Sequence, residues 1–475
     1  MTFPARQLIN GTWEDGDTLI DVTNPADGTI VGKHAWGSAV DATRAADAAA
    51  KAFGGWAELP PRRRADTLLE ASRLITERTE EIGTLLAREA GKRLPEALGE
   101  VSFSAEYFRW FAEQARRPSG EVIPHEAADR RHLTFRRPVG VVASLTPWNF
   151  PCSIQARKLA PALAAGCTVV ARVSEKAPLA ATLMVQAIVD AGVPAGVINL
   201  VHGPARELTQ ALLDHEAVRA VTFTGSTPVG REIMARASQR VVRPLLELGG
   251  DAAFIVFEDA DVDAAVEGAM IAKFRNSGQS CIAANRFIVH DRVYDRFVDA
   301  FVAQVDAMSV GDGLSEPCPD LGPVIDASRV DAVSSLVDQA LAQGATRLTK
   351  DAPVPGHGTY LSPTLLADVP DTADIARQEV FGPAAAIFRF HDTEQALERA
   401  NATEMGLAGY LWSRDVSRCW KVAERLEAGI LGVNNALPSV AFAPMGGVKQ
   451  SGLGREGAAV GLEEFEDIRY LALGL

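Results

Sequence analysis

Three residues, each in a loop marked by glycine or proline, have the chemistry that acyl transfer through sulfur needs. Cys281 lies in FRNSGQSCIAA, residues 274–284, where Gly278 and the small Ser280 let a loop present the sulfur in a narrow pocket. A thiol is intrinsically nucleophilic, but only a few per cent is thiolate at neutral pH unless its surroundings help. Glu247 lies in LLELGGD, residues 245–251, a carboxylate in a Leu-rich run followed by two glycines. Burial raises a carboxylate pKa toward working pH, where it can take a proton from water. The Gly249–Gly250 pair leaves backbone that another group can approach closely. Asn149, in TPWNFP (146–151), is an amide donor held by two prolines, as an oxyanion site for a tetrahedral intermediate requires. Taken singly, each has a structural reading: a buried filler cysteine, a strand-end Glu in a salt bridge, an Asn stabilising its own turn. A fourth segment, FTGSTPVG (223–230), runs from a strand end into a helix. Gly225 and Gly230 allow close packing there, and the helix N-terminus with Ser226 can hold a phosphate. It is not GxGxxG, so alone it is a weak dinucleotide signature.

The elements that must position these residues are legible in the periodicity. Pro61 opens a helical pattern, with apolar positions at Ala65, Leu68, Leu69, Ile75, Ile82, Leu85 and Leu86, predicted to run to Gly91. A second helix fits 95–115. From Val139, short Val/Ile-rich strands alternate with helices: strands at 139–145, 168–173, 197–201 and 218–224, helices at 155–165, 178–191 and 228–238. Another series begins with AFIVF at 253 and continues through RFIVH, AAIFRF, AGYLWS and GILGVN. Strands separated by helical segments imply βαβ units and buried parallel sheets. The fold class is therefore α/β, with two doubly wound, Rossmann-like domains and the cleft between them as the expected ligand site. Residues 121–138 and the tail from 463 fall outside both series. They read either as strands that pair with another subunit or as loose surface hairpins.

Composition narrows the function. With 475 residues, two or three domains are expected. Forty-seven Lys and Arg against 61 Asp and Glu, a net charge of −14, argue against a nucleic-acid surface. Cysteines 152, 167, 281, 318 and 419 form no CxxC pair, and no His cluster has metal spacing, so free thiols and no metal are expected. The N-terminal MTFPARQLINGTW has no signal-peptide pattern, and no stretch is apolar enough for a membrane helix. The expectation is a soluble cytoplasmic protein with no membrane contact.

Together the motifs resemble the aldehyde dehydrogenase superfamily along essentially the whole chain: PWNFP, GSTPVG, ELGG, GQSC, EVFGP (379–383) and PMGGVKQSGLGREG (444–457) stand in the family's order. The resemblance implies Cys281 as nucleophile, Glu247 as general base and Asn149, with the Cys281 amide, as oxyanion hole. It implies a nicotinamide cofactor met by Trp148, Gly225, Ser226, Gly230, Glu379 on the ribose and Phe381 beside the nicotinamide. Lys158 matches a lysine near the family's active site, without a firm role. Residues 1–120 and 139–248 would form the NAD(P)-binding domain and 249–440 the catalytic domain. Residues 121–138 and 463–475 would be oligomerisation strands of a homodimer or homotetramer. In the adenosine-binding strand, VVARVSEKAP (169–178), Glu175 would accept from both ribose hydroxyls and favour NAD. Arg172, where the family usually has Lys, could pair with a 2′-phosphate and admit NADP.

Within the superfamily the nearest resemblance is to succinate-semialdehyde dehydrogenases. Arg157 in QARK, Arg275 in KFRN and Ser439 in PSV match the positions that clamp the substrate's distal carboxylate in that branch. Retention of Glu247 favours hydrolysis of the thioester over transfer to coenzyme A. Alternatives are another acid-bearing substrate, glutarate or 2-oxoglutarate semialdehyde, or a broad-specificity enzyme, because the 434–438 loop departs from the branch. Asp251 and Met445 also depart from the family, and neither is expected to touch the named roles. Residue 283 is Ala, so no second cysteine stands near Cys281 to form a disulfide lock.

Overall fold

In a computed structural model, residues 3–16, 18–117, 120–126 and 128–475 are described. Position 127 of the 121–138 segment, and 1, 2, 17, 118 and 119 of the 1–120 segment, lie outside them.

Two large sheets carry the chain. The first has eight strands; its parallel centre, read across the sheet, is Arg243–Glu247, Val218–Thr224, Val141–Leu145, Thr168–Arg172 and Ile198–Val201. Chain order runs outward from Val141–Leu145 in one direction and then returns to its other side. The topological switch point therefore lies between Val141–Leu145 and Val218–Thr224, and the crevice beyond their carboxyl ends is the natural ligand position. PWN and TGS both begin there. The strands are almost wholly buried, which is why they read as continuous apolar runs. Antiparallel edges come from Gln7–Ile9 with Thr12–Glu14 and, from the far end of the chain, Gly452–Leu453. Those N-terminal strands are too short, at three residues each, to leave a periodic signal.

The second sheet has seven strands, with Ala252–Val256, Ala284–His290, Ala384–Phe390, Ala408–Trp412 and Ile430–Val433 all parallel to their neighbours. Glu247 ends a strand of the first sheet and Ala252 begins one of the second. The carboxyl edge of one sheet thus meets the amino edge of the other across residues 248–251. A third, three-stranded antiparallel sheet joins Gly120–Ile123, Arg130–Pro138 and Glu466–Gly474.

The single helix expected from Pro61 to Gly91 is two, Pro61–Glu77 and Thr79–Ala90, broken where Arg78 leaves helical geometry at φ −98°, ψ 14°. The apolar period continues across the break, so the pattern alone could not show it. The second helix runs Leu94–Gln114. No helix of the described residues is long and apolar enough to cross a membrane.

Candidate active site

Glu247 is placed by its strand and Cys281 by the loop that leads into Ala284–His290. That loop turns sharply: Asn276 and Ser277 both have positive φ (53° and 55°), followed by Gly278 at 74°. A Cβ on Gly278 would lie 2.2 Å from the Gly382 carbonyl oxygen, so only glycine fits. The glycine pair after Glu247 acts as expected. A Cβ on Gly250 would meet the Cys281 carbonyl oxygen at 2.1 Å, and one on Gly249 would meet Glu379 at 2.8 Å.

The thiol of Cys281 donates to Glu247 Oε1 at 3.0 Å. Burial, then the neighbouring Glu247 charge, push this thiol well above its ordinary pKa. The surroundings therefore favour the thiol over a free thiolate, with a carboxylate within hydrogen-bond reach of its proton. The other oxygen of Glu247 accepts from Thr224 Oγ1 at 3.0 Å and from Arg157.

Asn149 follows the Val141–Leu145 strand. Its Nδ2 donates to the Gln279 carbonyl at 3.2 Å, while Asn276 Nδ2 donates to the Asn149 carbonyl at 3.1 Å. An amide has two N–H donors, so one remains for an oxyanion.

Arg157 and Lys158 sit on the Pro151–Ala165 helix, both buried. Lys158 pairs with Glu456 and donates to Thr222 Oγ1 at 3.0 Å; Arg157 pairs with Glu247 and, at 2.6 Å, with Glu456. Burial works against the guanidinium's charge, but the two carboxylates outweigh it. Arg157 is therefore already engaged by Glu247, which the sequence reading of it as a substrate clamp did not include. Met445 corrects a second expectation: its sulfur contacts Arg157 Nη1 and lies 3.5 Å from Ser439 Oγ, so this departure touches two of the named residues. Asp251 is structural, paired with Arg286 at 2.9 Å. Glu456, Asn276, Gln279 and Thr224 are site residues that sequence reasoning missed. Glu456 lay inside a quoted motif, but nothing local marks its partners.

Two cavities share Cys281 in their walls. One, of about 470 Å³, is lined by Phe150, Arg157, Arg275, Ser439 and Met445 among others. Arg275 stacks on Phe150 at 5.2 Å and makes no ion pair within 4 Å among the described residues, although Glu96, in the wall of the same cavity, feels its charge. The other, of about 290 Å³, occupies the switch-point crevice and is lined by Trp148, Asn149, Gly225, Ser226, Glu379 and Phe381. Its floor fits a dinucleotide. A Cβ on Gly225 would collide with the Phe223 ring at 2.3 Å and one on Gly230 with Leu248 at 2.4 Å; Ser226 is the N-cap of the Thr227–Ser238 helix. Phe381, itself at φ +49°, stands edge-on to Trp148 with ring centroids 5.4 Å apart. Glu379 accepts from the Gly250 amide at 3.1 Å, and burial pushes its carboxyl up to about 7. Arg172 and Glu175 form an ion pair, with Arg172 also donating to the Gly203 carbonyl at 3.3 Å. Cys281 thus lies in the walls of both the switch-point crevice and a second pocket.

Residues 13–471 match the aldehyde dehydrogenase family. The chain belongs to that family. It is 43% identical over 474 residues to a glutarate-semialdehyde dehydrogenase of Pseudomonas aeruginosa, covering 99% of this chain and 98% of that one. It is also 43% identical over 475 residues to an NADP+ succinate-semialdehyde dehydrogenase of Escherichia coli, covering 100% and 98%. A crystal structure of succinate-semialdehyde dehydrogenase from Burkholderia pseudomallei superposes with a TM-score of 0.96 at 42% identity, covering 99% and 98%. As an aldehyde dehydrogenase, the protein is an oxidoreductase acting on an aldehyde, on two Rossmann-like sheets.

Proposed function

We propose that this aldehyde dehydrogenase oxidises an aldehyde bearing a distal carboxylate, succinate semialdehyde to succinate, with NAD or NADP. The observation that carries this reading is Arg275: a cation in no ion pair among the described residues, in the wall of the pocket that ends at Cys281. Ser439 and the Arg157 edge beside Met445 converge on the same pocket. Relatives named for four- and five-carbon semialdehydes are equally similar, so glutarate semialdehyde is the second reading.

In the first step the Cys281 proton passes to Glu247 across their hydrogen bond, and the sulfur adds to the aldehyde carbon. Asn149 Nδ2 and the Cys281 amide hold the developing oxyanion. A nicotinamide cofactor bound in the switch-point crevice would supply the hydride acceptor. Glu379 and Ser226 would hold its ribose and phosphate, and Trp148 and Phe381 would flank the ring. Glu175 would accept from the adenine ribose, and Arg172 would meet a 2′-phosphate. Once Glu247 has released that first proton to solvent, water that gives its proton to Glu247 hydrolyses the Cys281 thioester, and the same proton passes to the departing sulfur. The exposed apolar residues of the three-stranded sheet, Ile468, Tyr470, Leu471 and Leu473, support a homo-oligomer.

The test compares NADH formation from succinate semialdehyde and butanal, which have equal carbon number. Two charge-assisted bonds at about 1.5–3 kcal/mol each predict a preference of roughly 10²–10⁴-fold, lost in Arg275→Ala. Equal rates with the two aldehydes would sink the acid-specific reading. A profile over four-, five- and six-carbon semialdehydes assigns the chain length.

A further inference from the structure

Arg157 stands between the base and the substrate pocket, and its partners divide along that line. On the inner side it pairs with Glu247 and, at 2.6 Å, with Glu456. On the pocket side, Nη1 meets the sulfur of Met445, which Ser439 Oγ also reaches at 3.5 Å, while the buried Tyr107 hydroxyl is a further neighbour of the guanidinium. A thioether is a weak acceptor, so two good donors converge on a point where a carboxylate oxygen would bind them far better. Met445 can vacate that point without moving the chain. Its backbone is fixed by two 2.7 Å hydrogen bonds with Glu456, whereas its side chain is unbranched and adaptable.

Arg157 and Lys158 balance Glu247 and Glu456, so the buried group is neutral as it stands. A substrate carboxylate adds a negative charge, which Arg275 compensates from the pocket wall. Arg157 then divides its charge among three carboxylates instead of two, and its grip on Glu247 weakens. Glu247 is the acceptor of the Cys281 proton. We propose that Arg157 couples the two sites: the substrate's own carboxylate, by taking the Nη1 edge from Met445, loosens the Arg157–Glu247 pair and frees Glu247 to deprotonate Cys281 and water. This rests on the acid-bearing substrate proposed above and adds that the tail raises kcat as well as lowering KM.

The test supplies the substrate in two pieces, acetaldehyde and acetate, with chloride at equal ionic strength as control. Acetate is expected to raise kcat for acetaldehyde about fivefold or more. Because a later step can mask this in turnover, alkylation of Cys281 by iodoacetamide is measured alongside and should accelerate by a similar factor. In Arg157→Lys, a point charge that cannot bridge three groups, both accelerations should vanish. If acetate raises the KM for succinate semialdehyde yet accelerates neither reaction in the unaltered enzyme, the coupling is wrong and the clamp stands. Acceleration that survives in Arg157→Lys also overturns the coupling. If acetate neither competes nor accelerates, and butanal matches succinate semialdehyde, the acid-bearing substrate falls and takes the coupling with it.

Discussion

Cys281 and Glu379 show how burial acts on two ionisable groups of one site in ways that matter differently. For Cys281, burial disfavours the thiolate, and a carboxylate 3.0 Å away is the group placed to accept its proton. A thiol held this way is protected from idle oxidation. For Glu379, burial moves the carboxyl up to about 7, inside the working range. Below that pH it is neutral, and above it the carboxylate accepts stronger, charge-assisted bonds from ribose hydroxyls. NADH binding, followed by fluorescence titration, should therefore tighten as pH rises from about 6 to about 8. In Glu379→Gln the same titration should be flat. A profile unchanged by the substitution would remove Glu379 from the cofactor site.

At the scale of elements, two helices that begin without a side-chain cap of their own are capped by buried glutamates from neighbouring helices. Glu100 accepts from the amides of Cys152 and Ser153 at 3.0 and 3.2 Å, at the start of the helix that carries Arg157 and Lys158. Glu89 does the same for the Leu179–Asp190 helix, accepting from Leu179 and Ala180 at 2.7 and 2.8 Å. Both glutamates satisfy amides that a helix start leaves open; Glu100 also suits the positive end of the dipole, whereas burial pushes the Glu89 carboxyl up to about 8. Glu100 also pairs with Lys92 at 2.5 Å, both side chains almost fully buried. Glu100→Ala should therefore cost about 3–5 kcal/mol, since it orphans a buried ammonium and two amides. The check is denaturant unfolding, with Glu106→Ala, on an exposed face of the same helix, as the near-neutral comparison. A cost equal to that of Glu106→Ala would show that Glu100 does not hold the helix.

For the whole molecule, the meeting of one sheet's carboxyl edge with another's amino edge places Glu247 and Cys281 on opposite sides of a single short crossing, residues 248–251. The three-stranded sheet stands apart from that arrangement and leaves Ile468, Tyr470, Leu471 and Leu473 between 44% and 66% exposed. So much apolar surface on one small sheet is the observation behind the proposed homo-oligomer. Light scattering after size exclusion should give a homo-oligomer, and Leu471→Glu with Leu473→Glu should lower its mass. A monomer of unaltered protein at micromolar concentration would contradict this.

Much of this was legible in the chain itself. Alternating apolar runs from Val139 marked the parallel strands, because a strand buried on both faces must be apolar throughout, and that is a local property. Glycines at 225, 230, 249, 250 and 278 stand where neighbouring atoms leave no room for a Cβ. The break at Arg78 and the three-residue N-terminal strands left no mark, since neither interrupts nor creates a period. The motifs around Cys281, Glu247 and Asn149 carried the resemblance to the aldehyde dehydrogenase family, which the family match bears out. What only the tertiary structure decided is which charges meet: Arg157 and Glu247 are 90 positions apart, and Lys158 and Glu456 are 298. A sequence states which residues carry charge; which of them share a buried, low-dielectric space depends on how the sheets and helices pack, and that partnership is a property of the fold alone.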